Sequence, residues 1–288
     1  MKNAIKIFFI ISTVIIQCYS SVDTIDDASN TCSRTGNGVI TNSTPCYTTP
    51  INQTIKFYKV LLCTDQPNLN AGSNSVDLSK CDGVLFDNDN GKIITIEKDV
   101  KVGLSDSKIK AATFENTSYP YIVAIIGSTI GLKDSKQFSQ SMIGATGNGN
   151  YCWTKDIDLS EKTIYYNNWG VDSNKLNWGV ECGPTQGTIG TLNMLINDDN
   201  GIVSTDPIRG FSRFQFISTN DNLLTSTNSV NNTKLVASFK LASPVKISQS
   251  TNSINLNVKI TDGDSILMNG GYISAFKVAP FDFDVVVK

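Results

Sequence analysis

Ser253-Ile254-Asn255-Leu256-Asn257-Val258-Lys259-Ile260 alternates without a break, with apolar side chains at 254, 256, 258 and 260 and polar ones between them. A period of two sends successive side chains to opposite faces of an extended chain, so the stretch predicts a half-buried β-strand. The C-terminus repeats the pattern, with Phe281, Phe283, Val285 and Val287 on one face. Upstream, Thr54 to Cys63 is rich in β-formers, and strict alternation puts Ile55, Phe57, Leu61 and Cys63 together. Tyr121-Ile122-Val123-Ala124-Ile125-Ile126 is almost continuously apolar, as in a strand buried on both faces. Phe211 to Ile217 and Lys234 to Leu241 read as further strands.

Turn signals separate these runs. Val84 to Asp87 and Lys92 to Ile96 flank Asn88-Asp89-Asn90-Gly91, which predicts a hairpin because Asn and Gly tolerate positive φ. The pattern recurs from Leu195 to Val203 around Asn200-Gly201. The one helix candidate is the short run Asp134 to Met142. The expected fold is therefore all-β: a large β-sandwich, or two packed β subdomains, stapled by disulfides and carrying an aromatic-rich loop insertion. Residues 21–53 are polar and turn-rich and read as an irregular N-terminal segment, with the β-sandwich region spanning 54–288. Residues 127–150, rich in Gly, Ser and Asn, are a candidate seam. Asn168-Trp169-Gly170-Val171 returns at Asn177-Trp178-Gly179-Val180, a unit too short for a solenoid.

Residues 1–20 have the three parts of a signal peptide: Lys2 and Lys6, an apolar core from Ile7 to Ile16, and Cys18-Tyr19-Ser20 before a cut after Ser20. The core is shorter than the ~20 residues a bilayer crossing needs. Cys18 is also where a bacterial lipoprotein would carry its lipid, but Gln17 is bulkier than that processing normally accepts. The expected location is secreted, extracellular or cell-surface after cleavage, with no transmembrane segment. Cysteine usage agrees. Seven cysteines less Cys18 leave six, an even number in an exported chain. Of the 15 possible connectivities, nearest-neighbour pairing is expected: Cys32–Cys46, Cys63–Cys81 and Cys152–Cys182.

Hydrophobic residues make up 40% and charged residues 17%, the opposite balance to a disordered chain. The net charge is -2, and cleavage removes two of the positive charges. With no basic run, nucleic acid is excluded as a partner. The chain contains no histidine. That excludes Ser–His–Asp and Cys–His nucleophile systems and His-ligated metals. No Gly-rich phosphate loop is present, since Gly144, Gly147 and Gly149 lack a strand-to-helix setting. Asp87, Asp89 and Gly91, Asn197, Asp199 and Gly201, and Asp262-Gly263-Asp264 space like pieces of a calcium loop. They lack its later ligands and read as turns. Glu161 and Glu181 flank the tryptophans as a minor candidate pair for glycoside hydrolysis. No catalytic residue, metal or cofactor is expected.

All three tryptophans and several tyrosines cluster in or beside the loop closed by Cys152 and Cys182. Trp153, Tyr165, Tyr166, Trp169 and Trp178 are the candidate ligand-binding residues, because flat apolar rings with polar rims suit a sugar or a protein surface. Packing of the same rings over the open end of a sandwich is the competing reading.

Lys56-Phe57-Tyr58-Lys59-Val60-Leu61-Leu62-Cys63-Thr64-Asp65, with Cys81 and then Tyr151-Cys152, resembles a pattern in uncharacterised exported β-rich bacterial proteins. The likeness spans about the first half of the mature chain, implies export and β-structure, and carries no activity with it. The function expected from all these features is a non-catalytic secreted or cell-surface structural or adhesive subunit, with self-association or a glycan or protein surface as partner. The alternative is a soluble glycan- or ligand-binding module using the tryptophan-rich loop.

Overall fold

The apolar run at 121–126 becomes the middle of β5 (Thr117–Lys133), the longest strand among the described residues. A computed structural model describes residues 30–67, 76–104, 117–158, 179–195, 202–203, 211–217, 234–248, 250–251, 253–269, 271–278 and 281–288. Every helix or strand among them is a strand. One edge of β5 pairs with β2 (Asn52–Cys63), which pairs in turn with β3 (Gly83–Glu97). The other edge pairs with β13 (Lys234–Ile247), followed by β12 (Phe211–Ile217) and β11 (Ile202–Val203), all antiparallel. β10 (Leu192–Leu195) continues that edge beyond β13, with β8 (Ile157–Asp158) parallel beside it.

A three-stranded sheet covers one face of this large sheet. Its central strand is β14 (Ile254–Lys259), between β17 (Asp282–Val287) and β4 (Val102–Gly103). Ile254, Leu256 and Val258 share one core with Phe57 of β2, Ile122, Ala124 and Ile126 of β5 and Phe239 of β13, a sandwich-like packing. Four phenylalanines lock the layers: Phe57, Phe239, Phe281 and Phe283, with centroids 5.1–6.4 Å apart in the five contacting pairs. Val123 and Ile125 point the other way, into a smaller cluster with Leu61, Cys63, Cys81 and Val236. β5 is thus buried on both faces, as its composition predicts.

The third sheet runs β1 (Cys46–Thr48), β15 (Asp264–Asn269), β16 (Tyr272–Val278), β6 (Ser135–Ile143), β7 (Asn148–Thr154) and β9 (Val180–Gly183). It encloses a second core in which Ile40, Phe138, Met142, Ile266 and Phe276 meet Leu132 and Leu192 from the large sheet. The chain passes from one sheet to the other at Asp134. Residues 127–150 therefore hold the end of β5, this crossing and β6.

Four expectations are corrected. The run Asp134 to Met142 is not a helix but, from Ser135, the strand β6, whose Lys136 and Phe138 are buried while Gln137 and Ser139 are exposed. The flanks of Asn88–Gly91 do not pair with each other, because both belong to β3 and both pair with β2. Four residues, 88–91, bulge opposite Tyr58, with Gly91 at φ +69° supplying the left-handed backbone. The second Asn-Gly hairpin also fails: β10 is bonded to β5 and β8, whereas β11 is bonded to β12. Finally, Ile55 and Phe57 do not share a face with Leu61 and Cys63. The register slips at Tyr58, after which Val60 and Leu62 take the main-core face and Leu61 and Cys63 the opposite one.

Pro120 sits inside β5 although proline has no N–H for the ladder. β13 accommodates it by bulging: Lys240 pairs with Tyr121 and Val245 with Tyr119, so residues 241–244 arch past the proline.

The three disulfides join Cys32–Cys46, Cys63–Cys81 and Cys152–Cys182. Cys152 and Cys182 are directly opposite partners in the β7–β9 ladder. The other two tie residues 30–45 to β1 and the end of β2 to the segment just before β3. Among the described residues no helix is long and apolar enough to cross a membrane.

Candidate functional site

The most unusual chemistry lies where the large sheet hands the chain to the third sheet. Asp134 is held at the crossing by backbone geometry. Its N–H donates to Thr154 Oγ1 (3.0 Å), and its carbonyl accepts the Thr154 N–H (2.9 Å). Ser135 N–H donates to Asp134 Oδ1 (2.8 Å). Two residues on, and so on the same face of the strand, Lys136 reaches back and donates to the same Oδ1. The Lys136 ammonium also donates to the Thr49 carbonyl just after β1 (3.0 Å). Both side chains are out of water: Asp134 is 0% exposed and Lys136 7%.

The turn before β15 delivers the third member. Asp262 takes a positive φ of 52°, its N–H donates to Thr49 Oγ1 (3.0 Å), and Gln53 donates to the Gly263 carbonyl. Asp262-Gly263-Asp264 is therefore a structural turn pinned by Thr49, between β1 and β2, and by Gln53 at the start of β2. It sets Asp264 beside Asp134 at 0% exposure.

With all three groups charged, the cluster would carry one excess negative charge in a dry interior. In that state both Asp264 oxygens and Asp134 Oδ2 lack a donor. A buried anion without donors costs several kcal/mol, and a group so placed keeps a proton instead. Burial accordingly pushes the Asp264 carboxyl well above the usual carboxylate range. The neighbouring Asp134 raises it further, by its charge and by a hydrogen bond, and Lys136 opposes the rise. A protonated Asp264 can donate to Asp134, whose Oδ1 already accepts from the amine.

The sequence-predicted residues fall elsewhere. Trp153 lies in β7 at 7% exposure, its indole N–H without a partner. The end of β9 and the loop after it cover it closely: a Cβ on Gly183 would come within 3.1 Å of the ring, and one on Gly187 within 2.4 Å. Tyr165, Tyr166, Trp169 and Trp178, with the loop insertion itself and Glu161, lie outside the described residues. Glu181, in β9, pairs with Lys155 at 3.1 Å. In a Trp169→Phe/Trp178→Phe protein, the remaining Trp153 emission is expected to be blue-shifted, shielded from acrylamide and indifferent to added glycans. Efficient quenching would show the ring to be accessible.

No family model, curated protein or solved structure matches the chain. The acid–amine cluster is thus defined by its own geometry. Local sequence pattern hides it for a physical reason: Asp134 and Lys136 fall within an apparent helix, and Asp264 within an apparent turn. The available signal was a lysine alternating in step with Phe138, which puts a charge on a core-facing position.

Proposed function

We propose that the chain is an exported, non-catalytic β-protein that acts as a structural or adhesive subunit outside the cell. The observation that carries this reading is the covalent framework. Every cysteine among the described residues is in a disulfide, and the bridges secure the N-terminal segment, the β2–β3 connection and the β7–β9 ladder. Such bridges form and persist in oxidising compartments and typically contribute about 2–4 kcal/mol each. The signal-like residues 1–20 and the likeness of residues 56–65 to exported bacterial proteins point the same way.

A subunit needs a contact surface, and the C-terminal strand offers one. β14 occupies one edge of β17, and among the described residues no strand pairs with the other edge. Ser253 and Lys288 exchange both backbone hydrogen bonds, at 3.1 and 2.9 Å. Alternation along the antiparallel pair then aims the N–H groups of Phe283, Val285 and Val287 away from β14, where a strand of a second copy can accept them. Val285 and Val287 pack toward the core, leaving the Val286 side chain on the opposite face.

The test is sedimentation of protein recovered from the cell surface or medium. Wild-type protein is expected to run well above the 31.3 kDa of a single full-length chain. Val286→Lys is expected to reduce it to monomer while leaving the circular dichroism melt within a few degrees of wild type. A wild-type monomer would overturn the subunit reading.

A further inference from the structure

We propose that Lys136 and Asp264 condense into an intramolecular amide that covalently ties β6 to β15. Amide formation inside a folded protein requires an amine, a protonated carboxyl, a carboxylate base touching both, and exclusion of water. The cluster holds all four. Lys136 contacts Asp134 directly, Asp264 lies beside Asp134 with both its oxygens unpartnered, and the two acids are fully buried. Asp264 is the electrophile because it is the acid driven to its neutral form, first by burial and then by Asp134. Asp134 is the base because its Oδ1 already accepts from the ammonium.

The step balances without another reactant. The Lys136 ammonium passes one proton to Asp134, and the freed amine attacks Cγ of Asp264. A C–N bond forms, and the C–OH bond of the acid breaks. The nitrogen loses a second proton by way of Asp134. One of these two protons joins the departing hydroxyl to make water, and the other stays on Asp134. A cation, an anion and a neutral acid become an amide, a neutral acid and one water. No charge is left buried, which removes the cost that the unlinked cluster carries.

The link also has a mechanical place. β6 pairs along one side with β7, and it meets β16 only at Ile143↔Tyr272. β6 and β15 share no ladder hydrogen bonds, so the amide would join strands that the backbone leaves unconnected. It does so independently of where the protein is located or what it assembles with.

Peptide mass spectrometry of reduced, alkylated, trypsin-digested full-length protein decides it. Trypsin cannot cut after an acylated Lys136. The expected product is therefore peptide 134–155 joined to peptide 260–277, one water lighter than the pair, with fragment ions placing the link at Lys136 and Asp264. Recovery of a peptide ending at Lys136 together with free 260–277 at full mass overturns the proposal. So does a water loss confined to 134–155, which would mean an Asp134–Lys136 bond instead. Lys136→Arg keeps the cation but is expected to lose the linked peptide. Asp134→Asn keeps amine and acid but lacks the base, and is expected to leave most of the protein unlinked.

Discussion

Phe57→Ala is expected to destabilise the fold by about 3–5 kcal/mol, the usual range for deleting a fully buried aromatic ring. Phe57 is fully buried in β2 and meets Phe281 at 5.7 Å and Phe283 at 6.4 Å, both edge-on. Removing it costs the transfer energy of the ring, leaves a cavity between two sheets, and takes away aromatic contacts worth about 0.5–1.5 kcal/mol a pair. The cavity cannot collapse easily, because the ladder to β3 and β5 on either side holds the backbone of β2 in place. Urea unfolding should show a lower midpoint at an unchanged slope. Ile93→Ala on the neighbouring strand is the control: at 67% exposure it should change stability by less than about 0.5 kcal/mol. A loss below about 1 kcal/mol for Phe57→Ala would mean that the phenylalanine quartet does not join the layers.

The same quartet bears on how assembly can be tested. Truncation after Pro280 looks like the natural way to remove an assembling strand. It would also delete Phe281 and Phe283, which the core needs. Loss of assembly in that truncation would then report unfolding. A single charge at Val286 alters the edge while leaving both rings in place, and for that reason it is the better probe.

These cases show what local pattern can and cannot reveal. The alternation at 254–260 and the apolar run at 121–126 announce strands, because burial on one face or on two leaves a direct mark on composition. Nearest-neighbour cysteine pairing was legible since each pair brackets a short loop. Bulges leave no such mark. Asn88–Gly91 has the chemistry of a hairpin turn, yet β2 is a single long strand that pairs on both sides of that turn, and the four residues are accommodated as an arch. The face change at Tyr58 follows from the same slip, so a strict period of two misplaces Leu61 and Cys63. Pairing partners distant in sequence set both outcomes. The acid–amine cluster was hidden in the same way: Asp134, Lys136 and Asp264 lie 130 positions apart at the extremes, and only the packing of two sheets brings them together.

Lys136→Met should show what that packing costs. The variant cannot form an amide and leaves two buried acids without their cation, so it is expected to lose about 3–5 kcal/mol near neutral pH. The loss should depend on pH, and its sign follows from Asp264. Without the amide, the folded protein holds this carboxyl well above the ordinary aspartate value of 3.8, with burial as the first cause and Asp134 as the second. Below that value the folded and unfolded chains both keep the proton, and the group adds no pH dependence. Above it the unfolded chain releases the proton while the folded chain retains it. Stability therefore falls as pH rises, by up to about 1.4 kcal/mol per pH unit for one proton, until the folded Asp264 itself ionises. The amine that opposed this rise is absent in the variant, so the falling limb should reach further into the neutral range. Lys136→Met/Asp264→Asn replaces the titrating acid with a neutral amide that can donate to Asp134. It should recover part of the loss, and the falling limb should vanish. Thermal melts of both variants from pH 4 to pH 8 measure the difference. A single variant whose stability climbs steadily over that range would show that Asp264 is ionised in the folded protein and that Asp134 does not share its proton.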